Sequence, residues 1–183
     1  MKTNTASSTI RLRPFRDNDV PVLTRLLNNK KIWNNVRDYI PHPYFEQDAR
    51  EFIVFCKRED PQTTFVVEYE GELVGTVGLV LQTDVYRISA EIGYWLGEPF
   101  WGKGIMTRAV KQMVDYGFKH LNLLRIYTGV FDFNKGSQRV LEKAGFKLEC
   151  IFEKALIKNG VVYDEYRYGL IKDCWFSGRE ISS

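Results

Sequence analysis

An apolar segment, Ile92-Gly93-Tyr94-Trp95-Leu96, runs into Gly97-Glu98-Pro99-Phe100-Trp101-Gly102-Lys103-Gly104, and a helical pattern opens at Ile105. A glycine-punctuated turn feeding a helix exposes bare backbone N–H groups. Together with the helix dipole these favour a phosphate or pyrophosphate. Three ligand types suit such a turn. The first is a nucleotide phosphate: Gly97 to Lys103 fits G-x-x-x-x-G-K, but Gly104 stands where magnesium coordination needs Ser or Thr. The second is a dinucleotide: Gly102 and Gly104 begin G-x-G-x-x-G, but Thr107 stands where the third glycine belongs. The third is the pyrophosphate of coenzyme A, wrapped by amides from Trp101 to Thr107.

Other residues have types and settings suited to chemistry. Glu91 interrupts a largely apolar strand, and on a regular strand it shares a face with Ser89, Gly93 and Trp95. It is the best general-base candidate; the alternative is a carboxylate paired with a cation such as Arg87 or Arg125. Ser137 falls on one helical face with Val140, Leu141 and Ala144, which turns its hydroxyl inward; the alternative is a serine capping the helix start. Asn134 either caps the same helix or contacts the ligand. Lys135, Arg139 and Lys143 form one basic stripe, for which a solvated face is the default. The irregular stretch from Trp33 to Tyr44 carries Asn35, Arg37, Tyr39 and His42 between its aromatics. It is either a substrate wall or a loop packed over the sheet, and His42 reads as structural.

These residues need a scaffold, and the patterning supplies one. Thr9 to Phe15 alternates as a strand, and Val20, Leu23 and Leu27 mark a helix capped by Asp17 or Asn18. Ala49, Phe52, Ile53 and Cys56 mark a second helix. Thr64 to Tyr69 and Leu73 to Leu81 form a hairpin, Tyr86 to Leu96 a fourth strand, and Ile105 to Phe118 a helix. Leu124 to Val130 is a fifth strand, and Ser137 to Lys143 a short helix closed by Gly145. Phe146 to Ile157 and Val161 to Leu170 form a last hairpin about Asn159-Gly160. The order β-α-α-β-β-β-α-β-α-β-β predicts a mixed sheet with one β-α-β crossover.

Composition narrows the class. The chain has 183 residues, 44% hydrophobic and 27% charged, which suits one globular domain, placed at 9–172 with terminal segments 1–8 and 173–183. A net charge of +3 gives no case for nucleic acid. Cys56, Cys150 and Cys174 make no metal spacing and read as reduced, mostly buried thiols of a cytoplasmic protein. His42 and His120 do not suggest a metal site, and no apolar run suggests a leader or a membrane span.

At this point the chain resembles a known family. Trp101-Gly102-Lys103-Gly104-Ile105-Met106 resembles the Q/R-x-x-G-x-G/A signature of the GNAT superfamily of N-acetyltransferases. Asn134-Lys135-Gly136-Ser137 through Leu141-Glu142-Lys143-Ala144-Gly145-Phe146 resembles its second landmark, an Asn followed by a short helix ending in Gly-Phe. Tyr94-Trp95-Leu96 before Trp101-Gly102-Lys103-Gly104 resembles the Rim-type branch, which includes ribosomal-protein N-terminal acetyltransferases. The resemblance implies the GNAT fold, α/β (α+β), with a mixed, mostly antiparallel sheet, splayed central strands and flanking helices. It implies acetyl-CoA as donor and a primary amine as acceptor, either a protein N-terminus or a small molecule. Transfer would be direct, in a ternary complex, without a metal; homodimers are common in the family. A non-catalytic acyl-CoA-binding module is the alternative.

The resemblance also implies roles. Cofactor contacts fall to Tyr94, Trp95, Leu96, Trp101, Gly102, Lys103, Gly104, Ile105, Met106, Thr107, Asn134, Ser137 and Lys143. Chemistry falls to Glu91 as base, Ser137 as a hydrogen bond to the sulfur and the Tyr94 amide as oxyanion donor. The acceptor wall falls to Trp33, Asn35, Arg37 and Tyr39. The chain departs from the pattern at Trp101 and Met106. Leu141 stands where many members place an acid Tyr, and Leu156 where some Rim-type enzymes carry Glu.

Overall fold

A computed structural model describes residues 9–180. The seven-stranded sheet runs in the order β1-β2-β3-β4-β5-β7-β6. Its strands are β1 (Ile10–Arg13), β2 (Thr64–Tyr69), β3 (Glu72–Leu81), β4 (Ser89–Leu96), β5 (Arg125–Phe131), β6 (Lys147–Lys158) and β7 (Val161–Ile171). Every neighbouring pair is antiparallel except β4 with β5. That exception follows from the connection: α4 (Ile105–His120) carries the chain back across the sheet, as a parallel pair requires. The β6–β7 hairpin turns on Asn159 and Gly160 at φ 52° and 76°, the left-handed pair that Asn-Gly supplies.

The two faces bury separate cores. On one, α1 (Val20–Leu27) and α3 (Glu46–Lys57) enclose Leu23, Ile53, Val66 and Trp95. On the other, α4, α5 (Lys135–Lys143) and α6 (Lys172–Glu180) cover Val77, Ile92, Ile126 and Leu170. Alternation along β4 explains the division: Ala90 and Ile92 face α4, and Trp95 faces α1.

Several elements differ from the patterning. β1 ends at Arg13, because Pro14 has no N–H to continue the ladder. A four-residue helix that the patterning did not mark, α2 (Lys30–Trp33), follows α1; the Asn29 side chain caps it, accepting from the Lys31 amide at 2.8 Å. Residues beyond Lys172 continue as α6. Its Trp175 is buried beside α4 and donates through Nε1 to Asp115 at 2.7 Å. The segments 1–8 and 181–183 lie outside the described residues. Of the cysteines only Cys56 is buried, and burial, helped by Glu59, pushes its thiol up to about 12. Cys150 and Cys174 are exposed, contrary to the expected burial, because they stand on the outer edge strand and on α6.

One buried polar knot ties β1 to β2 and to the turn before α1. Arg13 donates to both carboxylate oxygens of Asp19 at 2.8 Å and through Nε to Glu68 at 2.6 Å. Burial pushes the Asp19 carboxyl up, but the hydrogen bonds from Arg13 and the Arg16 amide outweigh it and hold Asp19 below its usual value. The Arg13 hydrogen bond likewise lowers Glu68. Lowered carboxyls contribute stability above the ordinary carboxylate range and lose it as pH falls through their folded values. Arg13→Met should therefore cost about 3–5 kcal/mol near neutral pH. The gap from the unsubstituted protein should narrow as the carboxylates protonate, which denaturant melts at neutral pH and at about pH 3 would measure.

Candidate active site

The central strands part. Ser89, Ala90 and Glu91 pair in parallel with Arg125, Ile126 and Tyr127, and the ladder stops there. β4 nevertheless stays paired with β3 as far as Leu96, and β5 with β7 as far as Phe131. From Ile92 and Thr128 onward, the inner edges of both strands bound a V-shaped gap. Backbone N–H and C=O groups along such edges require partners.

The glycine turn lies at the open end of this V. Gly102 and Gly104 adopt φ of 76° and 71°, left-handed values that favour glycine. Gly104 is the N-cap of α4, and no side chain caps that helix end. No acidic residue occupies the first turn of α4 either. The amides at its N-terminus thus face outward with the positive end of the helix dipole, as an anion site requires. Trp101 is partly exposed and donates through Nε1 to the Leu96 carbonyl at 2.7 Å, bracing the turn. Ile105 and Met106 bury their side chains in the α4 core, so only their backbone can meet a ligand.

On the α4 side of the V stands a hydroxyl pair. The Tyr94 hydroxyl is 2.8 Å from Ser137 Oγ and 3.3 Å from the Ser137 carbonyl. Asn134 Oδ1 accepts from the Ser137 amide at 3.0 Å, so the capping reading of Asn134 holds and the cap also orients Ser137. Burial pushes the Tyr94 phenol well above its ordinary value, which keeps it protonated and able to donate. Leu141, at the expected acid position, is fully buried in the core.

The opposite face carries carboxylates. Glu91 turns away from Ala90 and Ile92 and shares its side of the sheet with Trp95, as alternation predicts. Arg37 donates through Nη2 to Glu91 Oε1, so the cation on Glu91 comes from the aromatic loop and not from Arg87 or Arg125. Arg125 instead pairs with Glu149. The loop is held from the other side as well. Lys158, only 2% exposed, places Nζ 3.8 Å from the Trp33 ring, 3.0 Å from the Val36 carbonyl and 2.6 Å from Asp38. Asn159 donates to Asn34 at 3.1 Å. Residues 33–38 therefore run from β4 to the β6–β7 tip, across the face from which Glu91 is reached.

Residues 9–147 match the family described as "Acetyltransferase (GNAT) domain". The chain belongs to the GNAT acetyltransferase family. Probable N-acetyltransferase YjcK of Bacillus subtilis (strain 168) is 48% identical over 95 residues, which is 52% of this chain and 52% of that protein, so the match spans about half of that relative. Two solved structures share the fold over nearly the whole chain. Spermidine N-acetyltransferase from Vibrio cholerae, in complex with CoA and spermine, is 25% identical with a TM-score of 0.77, covering 91% of this chain and 98% of that one. Ribosomal-protein-S5-alanine acetyltransferase from Vibrio fischeri is 27% identical with a TM-score of 0.76, covering 92% and 98%. The Rim-type resemblance accords with the latter.

The structure gathers Tyr94 with Ser137 and Glu91 with Arg37 about one gap. The side chains of the remaining expected contacts sit in varied settings. The Trp95 ring faces the α1 core, Tyr39 is 77% exposed, and Asn35 donates back to the Lys31 carbonyl at 2.8 Å. Lys103 packs beside Phe100, Thr107 is half-buried in the first turn of α4, and Lys143 is exposed at the end of α5. Trp33 and His42 stack at 5.3 Å, a packing contact of the kind the structural reading of His42 expects. Patterning missed Lys158. A lysine two residues from the Asn159-Gly160 turn reads as solvent-exposed, and only the fold brings it beneath Trp33. Lys158→Met should cost roughly 2 kcal/mol by losing the cation–π contact and leaving the Val36 carbonyl unpaired. Hydrogen exchange would then show faster opening of residues 33–38 than of β3.

Proposed function

We propose that the chain transfers the acetyl group of acetyl-CoA to a primary amine by direct attack in a ternary complex. The observation that carries this reading is the V between β4 and β5, with an amide-rich helix start at its open end and complementary chemistry on its two faces. Pyrophosphate would meet the amides from Trp101 to Thr107. The amide-bearing pantetheine arm would satisfy the free edges of Gly93 to Leu96 and of β5, which sets the thioester near Glu91, where the gap closes. A β4 amide near Tyr94 would donate to the tetrahedral oxyanion.

The two faces then divide the proton transfers. The amine reaches the thioester from the carboxylate side, where Glu91, directly or through water, accepts its proton. The Tyr94–Ser137 pair lies on the other side and donates to the departing thiolate. No covalent enzyme intermediate is needed. The acceptor is a small amine or a protein N-terminus, both represented among relatives of this chain, and the reaction is cytoplasmic.

Glu91→Gln should lower turnover at least about 100-fold, within the range of general-base catalysis, while leaving acetyl-CoA affinity intact. CoA-thiol release and calorimetry on the same preparation separate the two. Acetyl-CoA binding with no transfer to any amine of a broad panel would favour the non-catalytic acyl-CoA module instead, a reading that the Arg37 contact on Glu91 and the core position of Leu141 keep in play. At the turn, Gly104→Ala should weaken acetyl-CoA binding about tenfold, because a side chain at φ 71° costs roughly 1–2 kcal/mol. Unchanged affinity would remove the turn from the cofactor site.

A further inference from the structure

Three arginine–glutamate pairs lie over β4, β5 and β7 on the carboxylate face, and they are not equivalent. Glu149 is saturated: Arg125 donates through Nη1 to one oxygen and through Nη2 to the other. Arg37 reaches only Oε1 of Glu91. Arg167 donates through Nε at 3.1 Å and Nη2 at 2.7 Å, both to Oε2 of Glu165. Glu91 and Glu165 therefore each keep one oxygen without a hydrogen-bond partner among the described residues.

The unpaired oxygens lie beside the gap. Glu165 is only 6% exposed and rests on the sheet over Gly129, where an added Cβ would stand 1.9 Å from Oε1. Only a residue without a side chain leaves room for that carboxylate. Continuing the register of Glu91 with Tyr127 sets Gly129 opposite Gly93 across the V, and an added Cβ at Gly93 would meet nothing within 4 Å. The mouth is thus paved by two glycines. Glu91 borders it where the strands meet, and Glu165 borders it from β7. The guanidinium groups are drawn aside onto Tyr127, with Arg125 at 5.9 Å and Arg167 at 5.7 Å from its ring.

A nearly buried carboxylate with an unpartnered oxygen favours a cationic hydrogen-bond donor and penalises a neutral or anionic group. We propose that Glu165 binds a second ammonium group of the acceptor, so that the preferred acceptor is a diamine or polyamine whose reacting nitrogen lies beside Glu91. This rests on the acetyl-transfer reading and names its acceptor class. Glu165 recognises the substrate; Arg167 positions Glu165 by holding the other oxygen.

The test compares putrescine with n-butylamine, which differ only in the second amine. Calorimetry measures the binding of each to the CoA-loaded protein, and CoA release from acetyl-CoA measures turnover. Putrescine should bind at least about tenfold more tightly, the scale of one charge-assisted hydrogen bond. Glu165→Gln should bring the two amines within about twofold while leaving acetyl-CoA affinity unchanged. Gly129→Ala, whose methyl must displace the carboxylate, should do the same; if it does not fold, the isosteric Glu165→Gln decides alone. Equal binding of both amines by the unsubstituted protein, or a preference that survives Glu165→Gln, overturns the proposal. A Glu165-dependent preference without acetyl transfer would overturn the transfer reading and leave Glu165 as an ammonium site. Failure to bind CoA would overturn both.

Discussion

β4 and β5 are held together over Ser89 to Glu91 and held apart beyond it, and the rest of the site depends on that divergence. Each strand keeps its outer partner to the end, β3 for β4 and β7 for β5, so the gap is a stable feature and not a frayed edge. Along the inner edges, backbone N–H and C=O groups have no neighbouring strand to pair with, and such groups require other partners. Divergence also gives the sheet two accessible sides at one point. Tyr94 reaches Ser137 on one side while Glu91, its near neighbour in sequence, meets Arg37 on the other. Strand alternation alone sets that separation, since residues of odd spacing point to opposite faces.

The carboxylate side is shaped less by the sheet than by what is fastened over it. The segment after α2 has little regular structure, yet it is tied at both ends, to β4 through Arg37 and to the β6–β7 tip through Lys158 and Asn159. Lys158 is the stronger tie. Its ammonium is buried, and an aromatic ring, a carbonyl and a carboxylate together compensate the desolvation. Arg37, by contrast, is 56% exposed in its side chain, and an exposed ion pair contributes little to stability. The loop is therefore anchored firmly at the hairpin and loosely at Glu91. That arrangement suits a wall that must stay in place while the carboxylate beneath it remains reachable.

Much of this was legible in the sequence wherever a local rule decides the geometry. Asn159-Gly160 specified its hairpin, the apolar spacing from Ile105 specified α4, and the glycines at 102 and 104 specified a turn that other residues adopt only with strain. The inward orientation of Ser137 and the face shared by Glu91 and Trp95 followed from helical and strand periods. What escaped was decided by contacts distant in sequence. Arg37 and Glu91 were each singled out, but nothing local pairs residues 54 positions apart. Lys158 meets Val36 across 122 positions, and Trp175 meets Asp115 across 60. The same distance hides Glu165, whose position is readable only once Gly129 is known to lie beneath it.

The placement of glycines joins these observations. Gly93 and Gly129 lie on strands where a side chain would otherwise be expected, and each clears a different kind of space. At Gly93 the absent side chain leaves open volume directly beyond Glu91. At Gly129 it leaves a bed for the Glu165 carboxylate. A glycine within a strand weakens it by conformational entropy and lost packing, so two of them facing each other across the gap are costly unless the space they free is used. For acetyl transfer that use is specific. In the proposed transfer the amine approaches the thioester from the side opposite the hydroxyl pair, and the bare backbone at Gly93 leaves that approach open. The cost to strand stability thus falls where the reaction needs access, at Gly93, and where a carboxylate needs room, at Gly129.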